Sequence, residues 1–147
     1  MKTIDDFQRF FEDFSPADLP ALGDWYTEDA YFKDPFNEVR GIAAITRVYA
    51  HMFETLDEPR FRIVERIGTG ANWVLVWEFT FRTPSLGKGM QVVRGASHLR
   101  LDASDGRIAW HRDYWDAAEE FYAKVPVLGA LMRWLRKRGS ASAAPAA

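Results

Sequence analysis

The hydrophobic pattern changes its period near Pro59, and this change restricts the possible folds more than any other feature. Before Pro59, apolar residues recur at helical spacing. Beyond it they alternate with polar residues, most clearly in NWVLVWEFTFRT, where one face carries Trp73, Leu75, Trp77, Phe79 and Phe81. Helices followed by long alternating strands are typical of an α+β domain with helices on one face of an antiparallel sheet.

Two amphipathic helices are predicted before Pro59, with a short helix between them. The first carries Ile4, Phe7, Phe10, Phe11 and Phe14, and the second follows Gly41 and carries Ile42, Ile45, Tyr49, Met52 and Phe53. Ser15 and Pro16 predict the start of the short helix, which weakens at Gly23. The aromatic run DAYFKDPF is predicted to be a strand that ends at Pro35.

The long strands are predicted in RFRIVERI, NWVLVWEFTFRT, MQVVRGASHLRL and RIAWHRDYW, with turns at PSLGKG and DASDG. In the third, Arg94 and His98 are expected on the outer face, opposite Ser97. In the last strand, strict alternation assigns Ile108, Trp110, Arg112 and Tyr114 to one face, and Ala109, His111, Asp113 and Trp115 to the other. A single β-bulge would reverse this assignment.

The C-terminal part is predicted to be helical in DAAEEFYAKV and, after Pro126, in VLGALMRWLRKR. The basic end of the second segment suits a helix C-terminus. The stretch GSASAAPAA has too few apolar side chains to pack and is expected to be a disordered tail. With 147 residues in all, the chain is expected to form one domain over residues 1–138, followed by the tail 139–147.

Composition excludes several classes of function. A net charge of -2 gives no basic face for nucleic acid, so no nucleic-acid partner is expected. Without cysteine there are no disulfides, thiolate nucleophiles or cysteine-bound zinc. The acidic N-terminus does not resemble a secretory signal, and no apolar run reaches the ~18 residues of a membrane span. A cytoplasmic location is therefore expected.

The stretch YFKDPFNEVRG places Asp34 at the end of a strand, directly before Pro35. Such an aspartate is a helix cap, a turn former or a catalytic carboxylate. Because Pro35 has no amide hydrogen, the nearest backbone donor to the Asp34 carboxylate is missing. Burial among aromatic side chains such as Phe32 and Phe53 would suit it to general-base catalysis.

Two segments, EDAYFKDPFNEVRGIAAITRVY and GRIAWHRDYW, resemble the NTF2-like superfamily, which includes ketosteroid isomerases, scytalone dehydratases and SnoaL-like polyketide cyclases. The resemblance implies a cone-shaped α+β fold with a curved antiparallel sheet wrapped around N-terminal helices, to which this chain adds a C-terminal helix. The closest local match is to ketosteroid isomerase, whose strand, Asp-Pro-Phe, Gly, helix and Tyr pattern is repeated as Asp34-Pro35-Phe36, Gly41 and Tyr49.

The resemblance also implies roles for individual residues. Asp34 matches the general base of the isomerase, and Trp115 matches a pocket tryptophan, which places His111 and Asp113 in the same cavity. The candidate catalytic residues are therefore Asp34, His111 and Asp113, and we expect Asp34 and His111 to form a coupled pair. The candidate substrate-binding residues are Tyr49, Phe53, Trp77, Ser97 and Trp115.

Departures from the isomerase pattern change the expected reaction. The tyrosine that donates to the oxyanion falls at Phe10 or Phe11, and the donor aspartate of the penultimate strand falls at Ser97. Since loss of one such donor costs ~10²-fold or more in rate, steroid isomerisation by that mechanism is not expected. No metal or cofactor is expected either, because Asp34, His111 and Asp113 have no close ligand spacing.

Two functions from different classes remain open. One is a proton-transfer enzyme of isomerase, cyclase or dehydratase type that acts on a small hydrophobic ligand. The other is a non-catalytic ligand-binding or dimerisation module. In both, the apolar outer sheet face predicts a homodimer through Val74, Val76, Trp110 and Tyr114.

The C-terminal helix PVLGALMRWLRKR is expected to cover the mouth of the cavity. Contact with a membrane surface through its basic and aromatic side chains is a weaker alternative. No membrane partner is therefore included among the expected partners.

Overall fold

A computed structural model describes residues 1–120 and 126–139. The chain forms two compact units, one of residues 1–115 and one that begins at Asp116. The strands are β1 (Tyr26–Lys33), β2 (Glu38–Arg40), β3 (Asp57–Thr69), β4 (Asn72–Arg82), β5 (Gln91–Leu101) and β6 (Ile108–Trp115). The α-helices are α1 (Ile4–Asp13), α2 (Ile42–Thr55), α3 (Ala117–Glu120) and α4 (Pro126–Gly139), and 3₁₀ helices span Pro16–Asp24 and Pro84–Leu86.

The first unit contains a curved, unclosed sheet of six strands in the order β2-β1-β6-β5-β4-β3. Helices α1 and α2 and the first 3₁₀ helix pack with this sheet, so the expected α+β cone is confirmed. Neighbouring strands are antiparallel except β1 and β6, which are parallel. The short strand β2 and the parallel pairing were not expected from the sequence.

Local sequence signals explain where the two long helices begin. At α1, the Thr3 backbone amide donates to Asp6 Oδ2 (2.7 Å) and the Asp6 amide donates to Thr3 Oγ1 (3.3 Å), which forms a capping box. Helix α2 follows Gly41, whose φ of 92° is readily adopted only by glycine. The helices bury Phe7, Phe10, Phe11, Ile45 and Tyr49 in the core.

A β-bulge in β6 changes which side chains of this strand face the core. Arg100 pairs with Trp110 and Leu101 with Ile108, so Ala109 is an extra residue without a partner on β5. Ile108 therefore lies in the core, and its expected outward position is wrong. Beyond the bulge, alternation agrees with the prediction, since His111 is buried and Tyr114 is exposed.

Two apolar clusters fill the first unit. The larger joins α1, α2 and β1 to Leu75, Leu99 and Ile108 of the sheet. The smaller is centred on Trp77, Phe81 and Val93 and includes the half-buried Phe61 and Trp115. Ile63, on the edge strand β3, packs against both clusters, so they are continuous with each other.

The second unit contains α3 and α4, which confirms the predicted helix after Pro126. Gly139 is the last residue of α4, and the rest of the expected tail, residues 140–147, lies outside the described residues. Within 1–120 and 126–139, no helix combines the length and the apolar character needed to cross a bilayer.

Candidate functional site

His111 on β6 is the buried ionisable side chain around which the candidate site is built. Its ring packs edge-on against Phe11 and Phe32, with centroids 5.9 and 4.8 Å away, and only 2% of the residue is exposed. Both ring nitrogens have partners. Nδ1 lies 2.8 Å from Tyr26 Oη, and Nε2 lies 2.7 Å from Asp113 Oδ1.

Two buried tyrosines extend this arrangement toward α2. Tyr26 Oη, at the start of β1, lies 2.9 Å from Tyr49 Oη. Burial raises the pKa of the Tyr26 phenol far above its usual range, and the Asp113 carboxylate adds to the effect. Burial is also the main reason why the pKa of Tyr49 is raised, followed by the proximity of Tyr26 and Asp113. Both phenols therefore keep their protons throughout the physiological pH range.

On the other side of His111, Asp113 is held by a second set of hydrogen bonds. Ser97 Oγ donates to Asp113 Oδ1 (2.5 Å), and Trp77 Nε1 donates to Ser97 Oγ (2.8 Å). One carboxylate oxygen thus accepts from both Ser97 and His111. Within residues 1–120 and 126–139, Asp113 Oδ2 has no hydrogen-bond partner. Six side chains form one hydrogen-bond network, the His111 network: Tyr49, Tyr26, His111, Asp113, Ser97 and Trp77.

The direction of these hydrogen bonds depends on the charge of His111. With a neutral ring, Nε2–H donates to Asp113, Nδ1 accepts from Tyr26, and Tyr26 accepts from Tyr49. With a charged ring, Nδ1–H donates to Tyr26, which then donates to Tyr49. The hydroxyl hydrogen of Tyr49 is released only in the second arrangement.

A cavity of about 10 Å³ adjoins the network. Its polar lining consists of Tyr49, Ser97, His111 and Asp113, and the rest is apolar and mostly aromatic, including Phe11, Phe61 and Trp77. This volume is close to the minimum that admits one water molecule. A larger ligand can therefore enter only if side chains that line the cavity move. One of these side chains, Phe61, is only half-buried.

Asp34 lies outside this arrangement. Its Oδ1 accepts hydrogen bonds from the backbone amides of Phe36 (2.8 Å) and Asn37 (2.6 Å), and both its oxygens contact Asn37 Nδ2 at 3.1 Å. The missing Pro35 donor is thus replaced by the next two amides. Asp34 forms the turn between β1 and β2, and it does not bond to His111, since Tyr26 and Asp113 already occupy both ring nitrogens.

The remaining sequence-predicted residues divide between the cavity and its surroundings. Tyr49, Trp77 and Ser97 line the cavity, whereas Phe53 packs on Phe14 (5.3 Å between centroids) and Trp115 belongs to the smaller cluster. Trp115 also meets Phe36 edge-on at 5.5 Å.

Sequence reasoning missed Tyr26. The signal was its even spacing from Ala30 and Phe32, which are buried on the same strand, but Glu28 interrupts the apolar pattern.

Most residues of this site lie in a segment of the chain that matches a known domain family. The family model of the SnoaL-like domain matches residues 7–111, more than half of the chain. The chain belongs to the SnoaL-like domain family. Asp113 lies just beyond the matched segment, two residues after His111. No curated protein sequence matches this SnoaL-like chain at a significant level.

Solved structures share the fold at low sequence identity. A Catenulispora acidiphila protein with a ketosteroid isomerase-like fold, solved with trimethylamine, is 15% identical, covers 84% of this chain and 91% of its own, and gives a TM-score of 0.68. An LEH-like epoxide hydrolase from M. tuberculosis is 18% identical over 88% of this chain and 92% of its own, with a TM-score of 0.63. A candidate SnoaL-like polyketide cyclase from Shewanella denitrificans is 19% identical over 75% and 85%, with a TM-score of 0.61.

Proposed function

We propose that this SnoaL-like protein is a proton-transfer enzyme for a small apolar carbonyl compound, with Asp113 as the general base. The observation that carries the proposal is the fixed carboxylate beside the cavity. Two donors, from Ser97 and His111, hold Asp113 Oδ1, which leaves Oδ2 to take a proton from a substrate. The relatives named as cyclase and epoxide hydrolase support an enzyme in this fold.

Both ring nitrogens of His111 are hydrogen-bonded, so neither is available to a substrate. Its proposed role is to position Asp113 and to supply a positive charge when its ring is protonated. When the ring is protonated, it balances the Asp113 carboxylate and reverses the hydrogen bonds of Tyr26 and Tyr49. The Tyr49 hydroxyl then donates its hydrogen into the cavity that it lines. In this state Asp113 removes a proton from the carbon atom next to the substrate carbonyl group. Tyr49 donates a hydrogen bond to the carbonyl oxygen and stabilises the negative charge that develops on it.

Proton exchange at carbon tests this proposal directly. Enolisable apolar ketones are incubated with the protein in D₂O, and deuterium uptake is followed by NMR. We expect Asp113→Asn to lower the exchange rate by ~10² to 10⁴-fold, because the general base is lost. The matched control is Asp34→Asn, which keeps a turn-forming side chain and should retain the rate.

Removal of the Tyr49 hydroxyl tests the part played by this tyrosine. We expect Tyr49→Phe to lower the exchange rate by ~10²-fold or more, because the donor to the developing oxyanion is lost. Tyr114→Phe, at an exposed phenol, is the control and should retain the rate. An unchanged rate in Tyr49→Phe would contradict the proposed role of Tyr49.

The small cavity favours a second candidate function, a non-catalytic binding or dimerisation module. A space of about 10 Å³ holds no organic substrate unless side chains move. In this case no ketone would exchange faster with the protein than in buffer, and Asp113→Asn would change stability alone. Exchange that depends on Asp34 and not on Asp113 would place the base at the β1–β2 turn instead.

A further inference from the structure

Helix α4 carries a stripe of exposed apolar side chains. Trp134 and Leu135 lie three and four residues after Leu131, so the three side chains lie on one side of the helix. They are exposed by 48, 52 and 49%. Three large apolar side chains side by side on a helix indicate a surface that meets an apolar phase or a partner.

The charges of the same helix are all positive. Arg133, Arg136, Lys137 and Arg138 fall within α4, which contains no aspartate or glutamate. The Arg138 guanidinium lies over the Trp134 ring, 4.9 Å from its centroid, so a cation borders the apolar stripe. Long basic side chains beside tryptophan and leucine are the composition of helices that lie at a membrane interface.

Length decides between crossing a bilayer and lying on it. The 14 residues of α4 span about 21 Å, shorter than the ~30 Å hydrocarbon core. A second copy of α4 is a poorer partner, because pairing two such helices brings four cations of each chain together.

We propose that α4 binds the surface of an anionic lipid bilayer, with Leu131, Trp134 and Leu135 inserted and the basic residues at the headgroups. This departs from the sequence-based expectation of no membrane contact, because Leu131, Trp134 and Leu135 are exposed. An exposed ion pair between Arg136 and Glu119, 3.7 Å apart, is weak and exchanges readily for a lipid anion.

The experiment is cosedimentation of the full chain with vesicles of phosphatidylcholine alone and of phosphatidylcholine mixed with phosphatidylserine. We expect binding to the mixed vesicles, little binding to the neutral ones, and release as salt is raised. Leu131→Ser and Trp134→Ser should each lower the bound fraction several-fold. Replacing Arg136, Lys137 and Arg138 by Gln should remove the preference for phosphatidylserine.

The matched control is Lys88→Gln, which removes an exposed cation of the 83–90 loop and should bind like the wild type. Circular dichroism of each variant verifies that the fold is kept. The proposal is overturned by absence of binding to both vesicle types, by equal binding of wild type and α4 variants, or by a loss of self-association in those variants without any vesicle binding. Because the ketone exchange assay needs no lipid, its outcome is independent of this one.

Discussion

The two buried phenols tie the stability of the first unit to pH. Burial raises the pKa of both Tyr26 and Tyr49, so the folded state holds their protons at pH values where the unfolded chain loses them. An unfolded tyrosine titrates near pH 10. Stability from these groups is therefore complete below about pH 10 and is lost as the pH rises above it.

We predict that the free energy of unfolding falls steeply above about pH 10, by up to ~1.4 kcal/mol per pH unit for each phenol. Urea unfolding at a series of pH values measures this slope. Tyr26→Phe and Tyr49→Phe should each flatten it, whereas Tyr114→Phe, at an exposed phenol, should leave it unchanged. If all three variants keep the wild-type slope, the buried phenols do not titrate on unfolding.

At the same scale, sequence reasoning predicted part of the arrangement around His111. Alternation along β6 put His111 and Asp113 on one face, and the structure joins them through one hydrogen bond. It could not show that Asp34 turns its carboxylate to the amides of Phe36 and Asn37, because side-chain direction at a strand end depends on the following turn. The proposed catalytic use of these residues stays a prediction.

Among the elements, β6 shows why strand patterns fail locally. Helices, long strands and their order follow from hydrophobic period alone. The Ala109 bulge does not, since alanine fits either face and carries no signal of an extra residue. The parallel pairing of β1 with β6 also has no local signal in the sequence, because the two strands are far apart along the chain.

Gly95 of β5 lies in close contact with Trp77 of β4 and Tyr114 of β6. A Cβ atom built on Gly95 would lie 2.5 Å from the Trp77 ring and 2.8 Å from the Tyr114 carbonyl oxygen. Glycine is therefore required at this position so that the Trp77 ring can lie close to the β5 backbone and its Nε1 can donate to Ser97.

We predict that Gly95→Ala lowers the free energy of unfolding by about 1–3 kcal/mol, since overpacking forces Trp77 or the backbone to move. Urea unfolding measures the change. Gly89→Ala is the control, because a Cβ atom there meets nothing within 4 Å, and its effect should stay within about 0.5 kcal/mol. Equal stability of the two variants would mean that Trp77 moves without cost.

At the scale of the whole molecule, the outer face of the sheet carries apolar side chains that are not fully buried. Val74, Val76 and Trp110 are half-buried there, and Tyr114 is exposed beneath the Arg112 guanidinium, 4.7 Å from its ring centroid. An apolar face of this kind is typical of a symmetric dimer interface.

We predict a homodimer through this face. Light scattering at micromolar concentration should give about twice the chain mass of 16.9 kDa. Val76→Asp should shift the protein toward the monomer, because it places a charge within the interface. Met90→Asp adds the same charge at an exposed residue of another surface and should leave the mass unchanged. A wild-type monomer would show that solvent covers this face.

The parallel pairing of β1 with β6 has a consequence for the order of folding. Strand β1 reaches the sheet only through β6, and Tyr26 and His111 are separated by 85 positions in sequence. Contacts of such long range form late, because the loop between them must close first. During synthesis, α1, α2 and the β3–β4–β5 meander leave the ribosome before His111 does. The His111 network is thus expected to form late in folding, when β6 pairs with both β1 and β5.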